Sequence, residues 1–445
     1  MQKKQSILTI TIVLVGYFII LVDTSLVFTC SKEISSSLQM TASLAAWISN
    51  AYALTFGSLL LLGGKLGDIF GRRKIFIIGL IIFGISSGLV GLSPTAGLLI
   101  LFRAIQGIGA AIIAPATLAI IMDSFKGNDR VVAISIYGAM SGIGVSLGLI
   151  VGAGITTILS WRWGFFVNIP IVIILIILSL NFLQKGTIQH EKIDLNGSIF
   201  SCLALIFIIN GISGIGSHLI SLTIGFLLLV YFIYHEYKSD KPILPLALFG
   251  SMKRNLAYII RFTYSSAITS FWFFTPLMLQ SNFHLDPIMV GISFLPMTIF
   301  NFISANLVSD LTKKIGSIKL MTGGLIITTI GFGGLTLYQM GSNYWLSIAL
   351  PMITIGIGQG LVLSPVINIA VEDTPENLSG VSSSMINVML QIGEAFGLAI
   401  LSATSNLLNP QNLAFHYQAQ GIMLFSLIAL IFSLVLRFKF KKYEN

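Results

Sequence analysis

Long apolar runs, separated by short polar stretches, follow one another along almost the whole chain. In windows of about 19 residues, the first runs lie at 7–30, 44–63, 75–93, 97–122, 131–158 and 165–183. Two runs at 195–215 and 218–235 are joined by a few residues, which predicts a tight antiparallel pair. The last runs lie at 255–280, 288–308, 319–340, 344–371, 379–404 and 420–438. Because about 20 apolar residues cross a bilayer as a helix, the pattern predicts an all-α polytopic membrane protein with 14 spans.

A hydrophilic stretch separates the last six apolar runs from the earlier ones. Residues 236–254 are rich in charged side chains and contain Pro242 and Pro245, a composition typical of a surface connection. We therefore predict four parts of the chain. These are a six-helix bundle at 1–184, a central two-helix insertion at 185–236, a cytoplasmic linker at 237–254 and a second six-helix bundle at 255–445.

The charged residues are few and lie mostly on one side of the predicted membrane. They make up 9% of the chain against 55% for hydrophobic residues, whereas an ordinary soluble domain has about 25% charged residues. Lysines and arginines fall almost entirely on the side of the two termini, and the opposite side has essentially Lys32 and Arg162. By the positive-inside rule both termini are predicted to be cytoplasmic. The net charge of +9 therefore reflects topology, and no stretch forms a basic face for nucleic acid.

One acidic residue, Asp23, interrupts the first apolar run. A carboxylate within the hydrocarbon core costs roughly 2.5–3.5 kcal/mol, so such a residue is a candidate for proton or substrate binding. Arg103 in the fourth run lies at a similar predicted depth and is the candidate partner of this acid. The alternatives are that Asp23 only fixes helix packing and that Arg103 extends to the outer headgroups. A transport role requires Asp23 to be reachable from water.

Three further ionisable residues lie within or beside the predicted spans. Glu394 is predicted at the level of Asp23 in the other bundle, where it could bind a cation or a second proton or be packed against polar groups. Glu33 could line the outer mouth or be solvated in a loop. Arg261 is expected to extend toward the cytoplasmic headgroups, with a role in a cytoplasmic gate as the alternative.

An aromatic cluster lies in the ninth run, just before Pro276. Its candidate substrate contacts are Phe271, Trp272 and Phe274. If they face a cavity, they offer cation–π contacts worth about 0.5–2 kcal/mol each, and the alternative is that they face lipid. No histidine pair has the helical spacing of metal ligands, so we expect no metal and no cofactor.

A weak internal repeat relates the two predicted bundles. A shift of 250 residues places Ala114-Pro115 on Ser364-Pro365 and Asp123-Ser124 on Asp373-Thr374. The match is short enough to arise by chance. If it is real, it indicates two parallel bundles with a substrate path between them near the midplane.

The turn between the second and third spans reads Gly64-Lys65-Leu66-Gly67-Asp68-Ile69-Phe70-Gly71-Arg72-Arg73-Lys74. It resembles the signature loop of the major facilitator superfamily. Glycines permit a tight turn, an aspartate can cap a helix or pair with an arginine, and the basic cluster anchors the inner face. The residues of the loop that we assign to conformational change are Gly64, Gly67, Asp68, Gly71, Arg72 and Arg73.

Three more segments resemble the 14-span drug:proton antiporters of that superfamily. They are 103–111 in the fourth span, 161–170 at the entry to the sixth span and 21–25 in the first span. One departure concerns the fifth span, where Gly148 is followed by Leu149 rather than by the proline of the antiporters. Gly144, Gly148 and Gly152 still recur at four-residue steps, which permits close helix approach. We assign them, with the glycines of the loop, to conformational change, and packing alone is the alternative.

The resemblance implies a multidrug exporter that works by alternating access and exchanges an incoming proton for an amphipathic, cationic drug. Asp23 would carry the proton, so that drug and proton compete for its charge. The partners implied are protons, small drug-like compounds and the lipid bilayer of the bacterial cytoplasmic membrane, with the monomer as the working unit. The missing proline leaves open a proton-coupled transporter of a metabolite or lipid. A membrane-embedded enzyme or receptor is the remote alternative, because the chain offers no nucleophile with a base and no metal cluster.

Overall fold

The computed structural model describes residues 2–184, 194–214, 216–239, 242–339, 343–372, 374, 376–407 and 414–440. These residues form helices joined by short connections. The helices are α1 Gln2–Ser37, α2 Ala42–Phe70, α3 Arg72–Leu92, α4 Ala96–Ser124, α5 Gly127–Ile158, α6 Trp161–Phe166, α7 Asn168–Phe182, α8 Leu195–Ser213, α9 His218–Lys238, α10 Met252–Asn282, α11 Pro287–Ser293, α12 Leu295–Ile315, α13 Ser317–Thr336, α14 Leu350–Glu372, α15 Glu376–Leu407 and α16 Ala414–Phe440. A 3₁₀ turn at Leu246–Gly250 precedes α10, and a π-helical turn at Trp345–Ala349 precedes α14.

Most of these helices are long and apolar enough to span a membrane. Within the described residues, 12 helical segments meet that condition, with α6–α7, α11–α12 and the turn before α14 each counted with its neighbour. The helices α5 and α10, of 32 and 31 residues, also have spanning length. At about 1.5 Å per residue each exceeds the hydrocarbon thickness of about 30 Å. The protein is thus an all-helical membrane protein with about 12 to 14 spans, and the count of 14 stays a prediction.

The chain divides into two compact units with a boundary between Ile243 and Leu244. The first unit contains α1 to α9 and the second α10 to α16, except that Ile212–Gly214 at the end of α8 groups with the second. The boundary lies within the linker predicted at 237–254. The sequence assigned α8 and α9 to a separate insertion, whereas the structure groups most of this pair with the first bundle.

The two units repeat the same helix packing. In the first, α4 packs against α2 and α3 while α1 packs against α5; in the second, α14 packs against α12 and α13 while α10 packs against α15. Glycines permit these close approaches, because a Cβ on Gly107 would lie 2.5 Å from the carbonyl oxygen of Tyr52. Likewise, a Cβ on Gly356 would lie 2.2 Å from the carbonyl oxygen of Met297.

Both units also turn between helices at a glycine with positive φ. Gly71 joins α2 to α3 with φ of 90°, and Gly316 joins α12 to α13 with φ of 82°. Residues with a Cβ rarely adopt this conformation. Gly71 of the signature loop is therefore required by the turn itself.

The pair α8 and α9 is antiparallel and joined along its length. Asn210 donates to Ser221 at 3.0 Å near the connection between the two helices. At the other end of the pair, His235 Nε2 lies 2.9 Å from Asp194 Oδ1. The short connection at 214–217 permits only this arrangement, in agreement with the apolar pattern.

Candidate functional site

A buried ion pair joins α1 to α4 in the interior of the first unit. Asp23 and Arg103 are each 1% exposed. Arg103 Nη1 donates a hydrogen bond to Asp23 Oδ2. Charge-assisted bonds of this kind are about twice as strong as neutral ones, and a buried charge without its partner is strongly destabilising. The structure therefore brings together the two charges that the sequence places at one depth.

Two amides complete the surroundings of the carboxylate. Gln106 Nε2 donates to Asp23 Oδ1 at 2.8 Å, and its Oε1 accepts from Arg103 Nη1 at 2.7 Å. Asn168 Nδ2 also donates to Asp23 Oδ1, at 3.1 Å. Arg103 Nε donates to the Ile48 carbonyl at 3.1 Å. The network thus ties together α1, α2, α4 and α7.

Aromatic rings enclose the guanidinium group. The Cζ atom of Arg103 lies 4.3 Å from the centre of the Tyr52 ring and 5.8 Å from that of Phe165. Both rings are within the range of cation–π attraction, which is stronger where water is excluded. These rings and the amides explain how an arginine is accommodated inside the bundle.

The expectation that Asp23 is open to water is wrong for this conformation. Both carboxylate oxygens accept hydrogen bonds from protein donors, and the side chain is fully enclosed. The expectation that Asp23 attracts a cationic drug directly fails for the same reason, because Arg103 already occupies that position. The ion pair must separate before either a proton or a cation reaches the acid.

The residues of the signature loop form a second set of contacts at the α2–α3 turn. Arg72 Nη2 lies 3.1 Å from Asp68 Oδ1, and Arg72 Nη1 lies 2.6 Å from Asp123 Oδ1 at the end of α4. Arg73 donates to the Leu183 carbonyl at 3.0 Å. A Cβ on Gly67 would lie 3.7 Å from the Arg72 side chain, and one on Gly64 would lie 3.8 Å from the Pro115 side chain. The loop therefore joins the ends of α2, α3 and α4.

The glycines of α5 lie against α1 beside the ion pair. A Cβ on Gly148 would lie 2.8 Å from Val22 Cα, and one on Gly152 would lie 3.0 Å from Leu26 Cα. A Cβ on Gly144 would lie 2.8 Å from the end of the Leu21 side chain. The stripe is a packing surface for α1, and α5 is continuous through Leu149.

Glu394 lies on α15 in the second unit, where it is half-buried. It forms a side-chain hydrogen bond with Thr269 on α10 and interacts electrostatically with Arg261 on the same helix. Arg261 is 7% exposed, so the expectation that it extends to the headgroups is wrong. The second unit thus holds its own interior acid and base, on α15 and α10.

The remaining predicted residues lie in different surroundings. Glu33 is half-buried near the end of α1, and its Oε2 is buried without a hydrogen-bond partner. Phe271, Trp272 and Phe274 are 0%, 5% and 4% exposed. Trp272 stacks on Phe294 with 4.9 Å between ring centres. The aromatic cluster therefore packs inside the protein, and the interpretation that it faces lipid is wrong.

Gln106, Asn168, Ser87 and Tyr52 belong to the site, although no role was predicted for them from the sequence. Gln106 and Asn168 were nevertheless visible as polar residues inside antiporter-like segments. Ser87 and Tyr52 gave no such signal, because serine and tyrosine occur on many apolar helices. Among the described residues, no group of three His, Cys, Asp or Glu side chains is placed to hold a metal ion.

The helix packing that both units repeat, with charges in the interior of a multi-span membrane protein, is typical of a membrane transporter. Residues 13–398 match the Major Facilitator Superfamily, and the chain belongs to this family. It is therefore a multi-pass transporter and not an enzyme.

Relatives of the chain are named as resistance and multidrug proteins. The puromycin resistance protein pur8 of Streptomyces alboniger is 31% identical over 92% of this chain and 83% of its own length. The multidrug transporter MdtP of Bacillus subtilis is 30% identical over 91% of this chain and 76% of its own. A solved D-xylose-proton symporter has a TM-score of 0.71 at 15% identity, over 97% of this chain and 96% of that one, and so shares the fold.

Proposed function

We propose that this protein is a drug exporter that exchanges protons for amphipathic, cationic compounds by alternating access. The observation that carries the proposal is the enclosed pair of Asp23 and Arg103 in the first unit. Support comes also from relatives that are named for resistance to puromycin and for multidrug transport. The proposed location is the bacterial cytoplasmic membrane, with both termini in the cytoplasm and the monomer as the working unit.

The proton acts on the ion pair. In the enclosed state, Asp23 carries the charge that balances Arg103. Protonation of Asp23 removes that balance and leaves a buried guanidinium, which costs several kcal/mol until a new partner or water reaches it. The enclosed arrangement is thus favoured when Asp23 is charged, and an opened arrangement is favoured when it is protonated.

The cationic compound is attracted by a different acid. Glu394 is half-buried, and its surroundings contain the neutral donor Thr269 and the cation Arg261. A compound that places its positive charge near Glu394 competes with Arg261 and with a proton for this carboxylate. We assign Glu33 to the outer mouth of the substrate path. Its carboxylate can also attract a cation, because its buried Oε2 has no hydrogen-bond partner.

The second candidate function is also proton-coupled transport, but of a different substrate. The continuous α5, with buried Leu149 in place of the antiporter proline, favours a proton-coupled transporter of a metabolite or lipid. Vesicles separate the two candidates. A drug exporter releases protons from an acidified lumen when ethidium is added, whereas a transporter of a metabolite or lipid gives no response to ethidium.

The decisive experiment is ethidium efflux from cells that express the wild type or Asp23→Asn at matched levels. We expect loss of active efflux in the variant, because asparagine neither binds a proton nor balances Arg103. The control is Asp129→Asn, since Asp129 is exposed in the first turn of α5. Normal pumping by Asp23→Asn would overturn the assignment of the proton site.

A further inference from the structure

A chain of hydrogen bonds runs from the backbone of α6 to the acid on α1. The Ser87 hydroxyl donates to the Phe165 carbonyl at 2.8 Å. Asn168 Nδ2 donates to Ser87 Oγ at 3.0 Å and to Asp23 Oδ1 at 3.1 Å. Ser87 and Asn168 are 0% and 2% exposed, so the protein alone determines these bonds.

The direction of this chain is fixed by its first member. The Phe165 carbonyl can only accept, so it takes the single hydroxyl proton of Ser87. Ser87 must then accept from Asn168, which turns the amide so that its NH₂ group faces both Ser87 and Asp23. The opposite orientation would set the amide oxygen against a carboxylate, so the orientation of Asn168 follows from the Ser87 bond.

We infer that Asn168 is a positioning residue that holds Asp23 in its charged form, and that Ser87 fixes the orientation in which it does so. This inference rests on the proposed proton exchange. An N–H donor stabilises a carboxylate and offers nothing to the hydroxyl of a carboxylic acid. The hydrogen bond from Asn168 therefore favours the charged form of Asp23 over the protonated form.

The other groups around Asp23 either stabilise its charged form as well or add no charge of their own. From α4, Arg103 and Gln106 donate to its oxygens. From α2, the Tyr52 ring lies against Arg103. From α5, Gly148 meets the backbone of α1 beside Asp23 and adds no charge.

Protonation at Oδ1 of Asp23 consequently requires a change in Asn168, just as protonation at Oδ2 requires a change in Arg103. A hydrogen on Oδ1 needs an acceptor, and the Asn168 amide cannot turn to supply one while Ser87 holds it. The hydrogen bond between α1 and α7 is therefore strongest when the acid is charged. The charge balance of Arg103 and the bond of Asp23 to Asn168 weaken together when the acid takes up a proton.

Three variants test this role through the pH profile of exchange in proteoliposomes, with ethidium as the probe. Asn168→Ala removes one donor to the carboxylate, so we expect the midpoint to move to higher pH by about one unit. Asn168→Asp is isosteric but sets a second acid against Asp23, and a larger shift in the same direction is expected. Ser87 bonds to Asn168 rather than to Asp23, so Ser87→Ala should move the midpoint to higher pH by a smaller amount.

The control is Asn181→Ala on the same helix, because the exposed Asn181 donates to the Ile177 carbonyl of its own helix and, among the described contacts, does not bond to Asp23. If Asn168→Asp and Ser87→Ala keep the wild-type midpoint while ethidium still drives proton movement, the role of Asn168 and Ser87 is wrong but the proposed function stands. Should the wild type itself show no ethidium-driven proton movement, the proposed function fails instead. Shifts that add fully in the double variant Asn168→Ala/Ser87→Ala would contradict the claim that Ser87 acts through Asn168.

Discussion

Asp123 at the end of α4 lies 2.6 Å from Arg72 at the start of α3, measured between Oδ1 and Nη1. The same guanidinium group donates to the Ala119 carbonyl at 2.7 Å and lies 3.1 Å from Asp68 at the end of α2. One side chain therefore holds the ends of three helices together. The sequence left open whether Asp68 caps a helix or pairs with an arginine, and the contact of Arg72 with Asp123 comes from a different part of the chain.

This geometry predicts the result of replacing Arg72 by alanine. Asp68 and Asp123 are 45% and 56% exposed, so we expect a loss of stability of about 1 kcal/mol or less. Efflux should fall by up to about fivefold, because a loss of about 1 kcal/mol from one conformation of the cycle changes its population by that factor. Lys74→Ala is the control, since Lys74 contacts only the exposed Phe70 ring at 5.8 Å among the described contacts. Equal efflux by both variants at matched expression would exclude the role of Arg72.

The glycine stripe of α5 gives a second prediction. Alanine at Gly148 would bring its Cβ 2.8 Å from Val22 Cα and 2.9 Å from Ser25 Cβ. Since backbone atoms cannot give way, α1 must move, at an expected cost of about 1–3 kcal/mol. We expect a lower melting temperature and a loss of efflux, because Val22 is the neighbour of Asp23.

Gly154→Ala on the same helix is the matched control for this prediction. A Cβ there would have nothing within 4 Å, so its melting temperature should equal or exceed that of the wild type. A Gly148→Ala protein as stable and active as Gly154→Ala would show that α1 and α5 need not approach so closely.

How far the site could be predicted depended on how unusual each residue is in its surroundings. Asp23 and Arg103 each interrupt an apolar run, and a charge in hydrocarbon demands a partner, so their similar depth made them a candidate pair. Ser87 could not be found in this way. A serine in an apolar helix ordinarily bonds to the carbonyl of its own preceding turn, and nothing local indicates that Ser87 faces α6 and α7 instead.

The positions of the helices were predictable from the sequence, whereas the partners against which each helix packs were less so. Apolar length sets the position of each span, whereas the partner of each face depends on packing between distant segments. For Trp272 the sequence left lipid and cavity open, and the structure places it in a buried aromatic cluster. The prediction for Arg261 was wrong for a related reason, since depth alone does not show that Glu394, on another helix, lies close enough to interact with it.

The buried aromatic cluster predicts a separation between stability and substrate binding. Phe294 is 0% exposed and stacks on Trp272 with an angle of 19° between the rings. Phe294→Ala should lower the free energy of unfolding by about 3–5 kcal/mol, and Trp272→Phe should lower it less. With Trp272→Phe we expect an unchanged KM for ethidium, because the ring packs against protein. If Trp272→Phe instead raised the KM several-fold at an unchanged melting temperature, Trp272 would be a substrate contact. The control variant is Phe302→Leu, because the Phe302 side chain is exposed.

The last prediction concerns the energy source of the exchange. If Glu394 binds a second proton, each cycle moves one net charge when a monovalent cation leaves, and the membrane potential adds about 2.3 kcal/mol per 100 mV. Without that proton the exchange is electroneutral and depends on the pH gradient alone, at about 1.4 kcal/mol per unit. Glu394→Gln should therefore lose more ethidium export at alkaline external pH, where the pH gradient is lost, than at neutral external pH.

The matched control for this experiment is Glu372→Gln. The Glu372 side chain is 60% exposed, and its carboxylate lies 2.8 Å from the Lys253 ammonium group. It should keep the wild-type dependence on external pH. Thr269→Val removes the hydrogen bond to Glu394 without removing the acid, so its efflux should remain sensitive to the membrane potential. Equal losses at neutral and alkaline pH in Glu394→Gln would mean that Glu394 binds the compound or stabilises the fold without contributing a coupled proton.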